Sequence, residues 1–214
     1  MSNRFDETEM LQVLRVPQLY DWQVKALSNP PKDGRRLYTA ETGCGKSIIF
    51  YREVLRHALD RQHDSFVVVP YHALADEIAR RFTELSNAYP NFKVVTLNKN
   101  NPRAANKKKP SEDLAIDDGE GGDTSEDSAD QDGNLIHAPR RVYVVTMEGA
   151  TVLLNALALN GSTNSLSRLG LVVADEFHFI GDANRGCVLE SFFLRLKHLC
   201  PRVEMIGMTA TVSN

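Results

Sequence analysis

Ala40-Glu41-Thr42-Gly43-Cys44-Gly45-Lys46-Ser47 is the stretch whose reading decides the fold. A short apolar run, residues 37–40, leads into it. Behind it, residues 47–61 carry Ile48, Ile49, Val54, Leu55 and Leu59 at near-helical spacing. Strand, Gly-rich loop and helix in that order form the setting of a phosphate-binding loop. Gly43 and Gly45 let the backbone turn its N–H groups inward, and the helix start adds a positive dipole end. In such a loop Thr42, Gly43, Cys44 and Gly45 line the phosphates, Lys46 reaches the terminal ones, and the Ser47 hydroxyl faces Mg²⁺. Ala40 stands where the general pattern has its first glycine. Cys44, beside Lys46 and a helix start, has the surroundings of an oxidisable thiol. The simpler reading makes it a small residue that fits the loop.

Outward from the loop the pattern alternates. Residues 66–69, 92–97, 142–146, 171–174 and 203–208 read as strands, and residues 73–85, 148–159 and 189–199 as helices. Continuous apolar strands between helices predict an α/β fold, a parallel sheet covered by helices on both faces. The strand at residues 171–174 runs straight into Asp175-Glu176-Phe177-His178. Open parallel sheets bind ligands at the carboxyl ends of their strands. Paired acids there complete a phosphate site: Asp175 for Mg²⁺, through water, and Glu176 to activate the attacking water. His178 would sense the terminal phosphate. An acid pair after an apolar run is common as a cap, and it gains meaning from the loop upstream.

The chain has 214 residues, enough for one domain with a real core. No run of about 18 apolar residues occurs, so no transmembrane helix is predicted. Residues 1–10 are polar and acidic, unlike a secretory signal. Cys44, Cys187 and Cys200 lack CxxC spacing, which argues against a zinc site or a disulfide framework. Net charge is −3, yet residues 111–133 hold ten of the 28 acids and no Lys or Arg. The remaining 18 acids face 25 basic residues, a balance of +7 that suits a phosphate-binding surface. Residues 98–138 are rich in Asn, Lys, Asp, Gly and Ser, and we expect a disordered insertion there. Its Lys107-Lys108-Lys109 would pair with the acidic stretch; an import signal or a strand contact is the other reading.

These motifs together resemble superfamily 2 DExH helicases. The run from Gly170 to Asp182, followed by Arg185-Gly186 and Leu189-Glu190, is similar to the helicase Q and DNA polymerase theta helicase branch. Leu19-Tyr20-Asp21-Trp22-Gln23 resembles that branch's adenine-reading segment. The resemblance implies that Gln23 bonds the adenine edge and that Tyr20 or Trp22 shapes its pocket. The segment from Pro70 to Glu77 resembles motif Ia, Thr146-Met147-Glu148-Gly149-Ala150 motif Ib, and Gly207-Met208-Thr209-Ala210-Thr211 motif III. It implies strand contacts at His72, Thr146 and Glu148, with capping of the next helix as the plainer role of Thr146 and Glu148. Thr209 and Thr211 would couple the nucleotide and nucleic-acid sites.

The implied fold is a RecA-like domain over residues 19–214, preceded by a segment 1–18. The implied ligands are ATP with Mg²⁺ and a single nucleic-acid strand, DNA by branch. The implied setting is nuclear DNA repair. Two departures stand out. Leu97-Asn98-Lys99-Asn100 replaces a Gly-rich strand-contacting segment, and no second motor domain with its arginine fingers follows motif III. A missing finger costs roughly 10³–10⁵ in rate in related enzymes, so this chain alone is expected to hydrolyse ATP weakly. An RNA helicase, a non-catalytic ATP-binding module and a nucleotide kinase are the alternatives. Asp-Glu-Phe-His and Thr-Ala-Thr argue against the kinase.

Overall fold

The computed structural model describes residues 4–28, 33–97, 128–129, 135–136, 139–159 and 166–210. Six strands form one parallel sheet: β1 Arg35–Thr39, β2 Asp64–Val69, β3 Phe92–Thr96, β6 Arg140–Thr146, β7 Leu169–Ala174 and β8 Glu204–Thr209. Their spatial order is β1-β8-β7-β2-β6-β3. The expected α/β fold is therefore present. Every strand read from the sequence exists, with ends moved by a few residues.

The two central strands β2 and β7 are buried along their whole length. Successive side chains point to opposite faces, so each strand feeds two cores. Val67 and Val69 pack with Ile49, Val54 and Leu55 of α3 (Lys46–Leu59) and Phe82 of α4 (His72–Ala88). Phe66 and Val68 pack on the other face with Leu153 and Leu157 of α5 (Met147–Leu159) and Phe192 of α6 (Gly186–Leu199). Two short helices were not expected. One is α1 (Glu7–Val13), capped by the Asp6 carboxylate, which accepts the Thr8 and Glu9 N–H groups and lets Met10 bury fully. The other is α2 (Asp21–Ser28), inside the segment read as adenine-binding.

The insertion differs from its expected character in one place. Ser128–Ala129 (β4) and Leu135–Ile136 (β5) pair as a short antiparallel ladder. The rest of residues 98–138, including Lys107, Lys108 and Lys109, lies outside the described residues apart from residue 128–129 and 135–136 backbone.

A charged cluster ties the amino ends of β1 and β8 to α3. Glu53 is 1% exposed and receives Arg36 at 3.0 Å, Arg52 at 2.7 Å and Arg56 at 3.3 Å. Burial alone would raise its carboxyl pKa, but the three arginines hold it below the ordinary value. Arg36 also reaches Glu204 at 2.9 Å, and Arg61 bonds the same carboxylate.

His57 completes the cluster, 3.1 Å from Arg61 Nη1 and 1% exposed. Burial, reinforced by Arg61, pushes its pKa down from 6.5 to about 4. The folded ring thus stays neutral where the unfolded chain takes up a proton. Its contribution is full above pH 6.5 and drains as pH falls toward about 4. The whole effect is at most ~3 kcal/mol. We expect thermal unfolding to shift down across this window in the wild type and to flatten in His57→Gln. Parallel curves for the two proteins would remove His57 from the account. Glu204, which Arg61 and Arg36 hold below its ordinary value against the effect of burial, adds acid sensitivity at lower pH.

Candidate functional site

The phosphate loop connects the carboxyl end of β1 to α3. Gly43 and Gly45 both take left-handed backbone, φ 86° and 73°. A Cβ on Gly43 would meet nothing within 4 Å, so the loop leaves room at its crest. A Cβ on Gly45 would lie 2.8 Å from Gln23 Nε2. Glycine is required there by conformation and by space. The Lys46 ammonium donates to the carbonyls of Ala40 at 2.7 Å and Glu41 at 2.9 Å. These bonds hold it across the loop mouth. Thr42 on the loop and Ser47 in the first turn of α3 are exposed, and Cys44 is a free thiol of intermediate exposure.

Gln23 is 1% exposed, and each end of its amide has a protein partner. Its Oε1 accepts the Tyr20 N–H at 2.7 Å, and its Nε2 donates to the Gly45 carbonyl at 2.8 Å. It therefore braces the loop from a buried position. The pair of aromatics separates. Tyr20 is 58% exposed with its ring beside Gly45, whereas Trp22 packs against the core. Of the two, Tyr20 is the exposed ring beside the loop.

The acids arrive at the carboxyl end of β7, two strands from β1. Burial pushes the Asp175 carboxyl up; the Glu176 N–H, donated at 3.0 Å, and the Lys46 charge offset part of this. A divalent cation would relieve that penalty. Ser47 and Asp175 are both oxygen donors of the kind Mg²⁺ prefers, and one or two protein ligands suffice when phosphates supply the rest. The described residues contain no group of three or more His, Cys, Asp or Glu that would hold a metal alone.

Glu176 has a left-handed backbone, φ 51° and ψ 46°. A non-glycine residue there stores strain, a feature that clusters at functional sites. The turn starts a 3-10 helix, Phe177–Gly181. It brings His178 Nδ1 to 3.2 Å from Glu176 Oε2 and 3.4 Å from Thr209 Oγ1 at the end of β8. The Glu176–His178 approach lacks hydrogen-bond alignment, so Glu176 Oε2 is buried without a hydrogen-bond partner. Lys46, Asp175, Glu176, His178 and Thr209 thus share the carboxyl edge of β1, β7 and β8. Thr211 lies outside the described residues.

The residues expected to touch a strand lie beside this edge and are partly committed. His72 is exposed at the start of α4. Thr146 is 7% exposed, and its hydroxyl oxygen accepts the Gly149 N–H at 3.2 Å, capping α5. Glu148 is bound by Arg185 at 3.0 Å. Arg185 was not singled out for any role in the sequence, although Arg185-Gly186 carried part of the resemblance. Its partners Pro70, Tyr71 and Glu148 come from two distant segments, and no local signal shows them.

A parallel α/β sheet that delivers a Gly-Lys-Ser loop and a strained acid pair to one edge is a RecA-like phosphate-loop domain. The chain belongs to the DEAD/DEAH box helicase family, which matches residues 20–214. Helicase POLQ-like of Caenorhabditis elegans is 28% identical over 208 residues, covering 94% of this chain and 19% of that protein. ATP-dependent DNA helicase Hel308 of Pyrobaculum calidifontis is 44% identical over 73 residues, covering 34% of this chain and 10% of that protein. Among solved structures, the DEAD-box helicase Mss116 bound to ssRNA and UDP-BeF has the same fold, with a TM-score of 0.67 at 15% identity. That match covers 97% of this chain and 38% of the other. The chain spans a fifth or less of the curated relatives just named. No helix among the described residues is long and apolar enough to cross a membrane.

Proposed function

We propose that this chain is the ATP-binding motor domain of an ATP-dependent DNA helicase of the DNA-repair type, acting in the nucleus. The observation that carries the reading is the meeting of Lys46, Asp175, Glu176, His178 and Thr209 at one sheet edge. The choice of DNA is supported by relatives named ATP-dependent DNA helicase and DNA polymerase theta. The nuclear repair setting is proposed on the likeness to DNA polymerase theta.

In this reading the exposed Tyr20 ring and Gln23, which braces the loop at Gly45, take the adenine. The loop N–H groups and Lys46 take the phosphates, and Ser47 and Asp175 hold Mg²⁺. The metal supplies charge neutralisation on the phosphates. Glu176, with Oε2 free of a hydrogen-bond partner, orients and deprotonates the attacking water. A second RecA-like domain supplies the arginine that completes the transition-state clamp.

Glu176→Gln tests the assignment. It keeps size and backbone, so affinity for a fluorescent ATP analogue should stay within about threefold. Phosphate release stimulated by single-stranded DNA should fall by roughly 10²–10⁴. Loss of nucleotide affinity together with turnover would give Glu176 a structural role in its strained turn. Equal stimulation by DNA and RNA strands would shift the reading to a motor indifferent to the 2′-hydroxyl.

A further inference from the structure

Arg185 lies outside the phosphate site and is fixed at its base. Asp182 Oδ1 accepts the Asn184 and Arg185 N–H groups, each at 2.8 Å, and the Asp182 carbonyl accepts the Gly186 N–H at 2.8 Å. A Cβ on Gly186 would lie 2.4 Å from the Ile180 carbonyl oxygen. Helix α6 therefore begins in backbone contact with the 3-10 helix that follows Glu176, and the two should move together.

From that base the guanidinium reaches the other face. Nη2 donates to the Pro70 carbonyl at 2.6 Å and to Glu148 Oε1 at 3.0 Å; Nε donates to the same oxygen at 3.3 Å. Its carbon is 5.3 Å from the Tyr71 ring centre and 5.7 Å from that of Phe179. Phe179 meets Tyr71 edge-on at 5.9 Å and stacks on His178 at 4.8 Å. His178 in turn approaches Glu176 and Thr209. A continuous set of contacts runs from the hydrolytic acid to the first residues of α4 and α5.

We infer that Arg185 is the positioning residue through which the occupancy of the terminal-phosphate end sets the geometry of the strand-contacting face at Tyr71, His72 and Glu148. The inference rests on the proposed function. A planar cation bonded at its edge and packed on two rings cannot follow one partner without displacing the others. Phosphate that moves His178 moves Phe179, and the guanidinium then carries Pro70 and Glu148 with it. Coupling of this kind is a free energy shared between two sites, and it must appear reciprocally in both affinities.

The test measures the affinity of this chain for a labelled DNA oligonucleotide with and without a non-hydrolysable Mg²⁺·ATP analogue. The wild type should bind the strand at least about fivefold differently in the two conditions. Arg185→Gln should bring that ratio to about one while analogue affinity stays within twofold. Arg185→Lys keeps a cation beside Glu148 but loses the flat fork, and it should also lose most of the ratio at unchanged melting temperature. A ratio that survives in Arg185→Gln overturns the inference. So does Arg185→Lys restoring melting temperature and ratio together, which would mark a charge that merely stabilises the fold. A wild type that binds the analogue but no strand overturns the nucleic-acid reading itself, and the inference falls with it.

Discussion

Lys46→Ala should lower the affinity for Mg²⁺·ATP by about 100-fold, as read by displacement of a fluorescent analogue. Each charge-assisted bond from the ammonium to a phosphate oxygen contributes roughly 1.5–3 kcal/mol. The lysine is already held at the loop mouth by the Ala40 and Glu41 carbonyls, so little ordering is needed when phosphate arrives. Its removal has a second effect on the partner acid. Burial raises the Asp175 carboxyl, and the Lys46 charge is one of the influences drawing it back down. Without that charge the Asp175 carboxyl rises further, so protons compete better with a metal there and the loss should deepen as pH falls. Stability should change little, because Lys46 is no part of either core. Affinity within threefold of the wild type would sink the phosphate-loop assignment.

Glu53→Ala should be among the most damaging single changes to the fold. It leaves Arg36, whose side chain is 6% exposed, without its 3.0 Å partner. Removing one member of a buried ion pair costs about 3–5 kcal/mol, against a total stability of about 5–15 kcal/mol. A drop of roughly 10 °C in melting temperature is expected for a domain of this size. Urea unfolding should show the midpoint moving at unchanged slope. Arg36 also touches Glu204 at 2.9 Å. A loss below about 1 kcal/mol, judged against the cost of a stranded charge, would mean that Glu204 alone satisfies it. Replacing an exposed acid such as Glu84, paired with Arg81 at the surface, should cost far less.

What could be read in advance was local. The phosphate loop is eight contiguous residues whose types each have a chemical reason, and the acid pair adjoins the apolar strand that positions it. Strand β7 and residues 66–69 of β2 were legible because burial on both faces leaves an unbroken apolar run; the buried Asp64 and Ser65 hid the start of β2. Helix α1 was missed although Asp6 and Glu9 have capping spacing, since a seven-residue helix burying only Met10 leaves almost no periodic signal. The strand order was not legible, because it depends on pairings between distant residues. The ion cluster was hidden for the same reason: Arg36 and Glu204 are 168 positions apart. Thr146 had both a strand-contacting and a capping reading. Its hydroxyl bond to Gly149 gives it the cap, while the strand role of His72 remains a proposal.

The position of β1 in the sheet carries a consequence for how the domain is made. Among the described residues β1 pairs with β8 alone, from Arg35 opposite Met205 to Thr39 opposite Thr209. The strand that launches the phosphate loop therefore waits for a strand made after β2, β3, β6 and β7. Ribosomes emit the chain from its amino end at about 5–20 residues per second. On that timescale β2, β3, β6 and β7 can assemble while β1 still lacks its neighbour. Closing so long a separation late is slow relative to local pairing. A nascent chain halted before Glu204 would hold most of the hydrophobic layers yet no seated nucleotide loop. The capacity to hold ATP should thus switch on abruptly once β8 emerges and slides between β7 and β1.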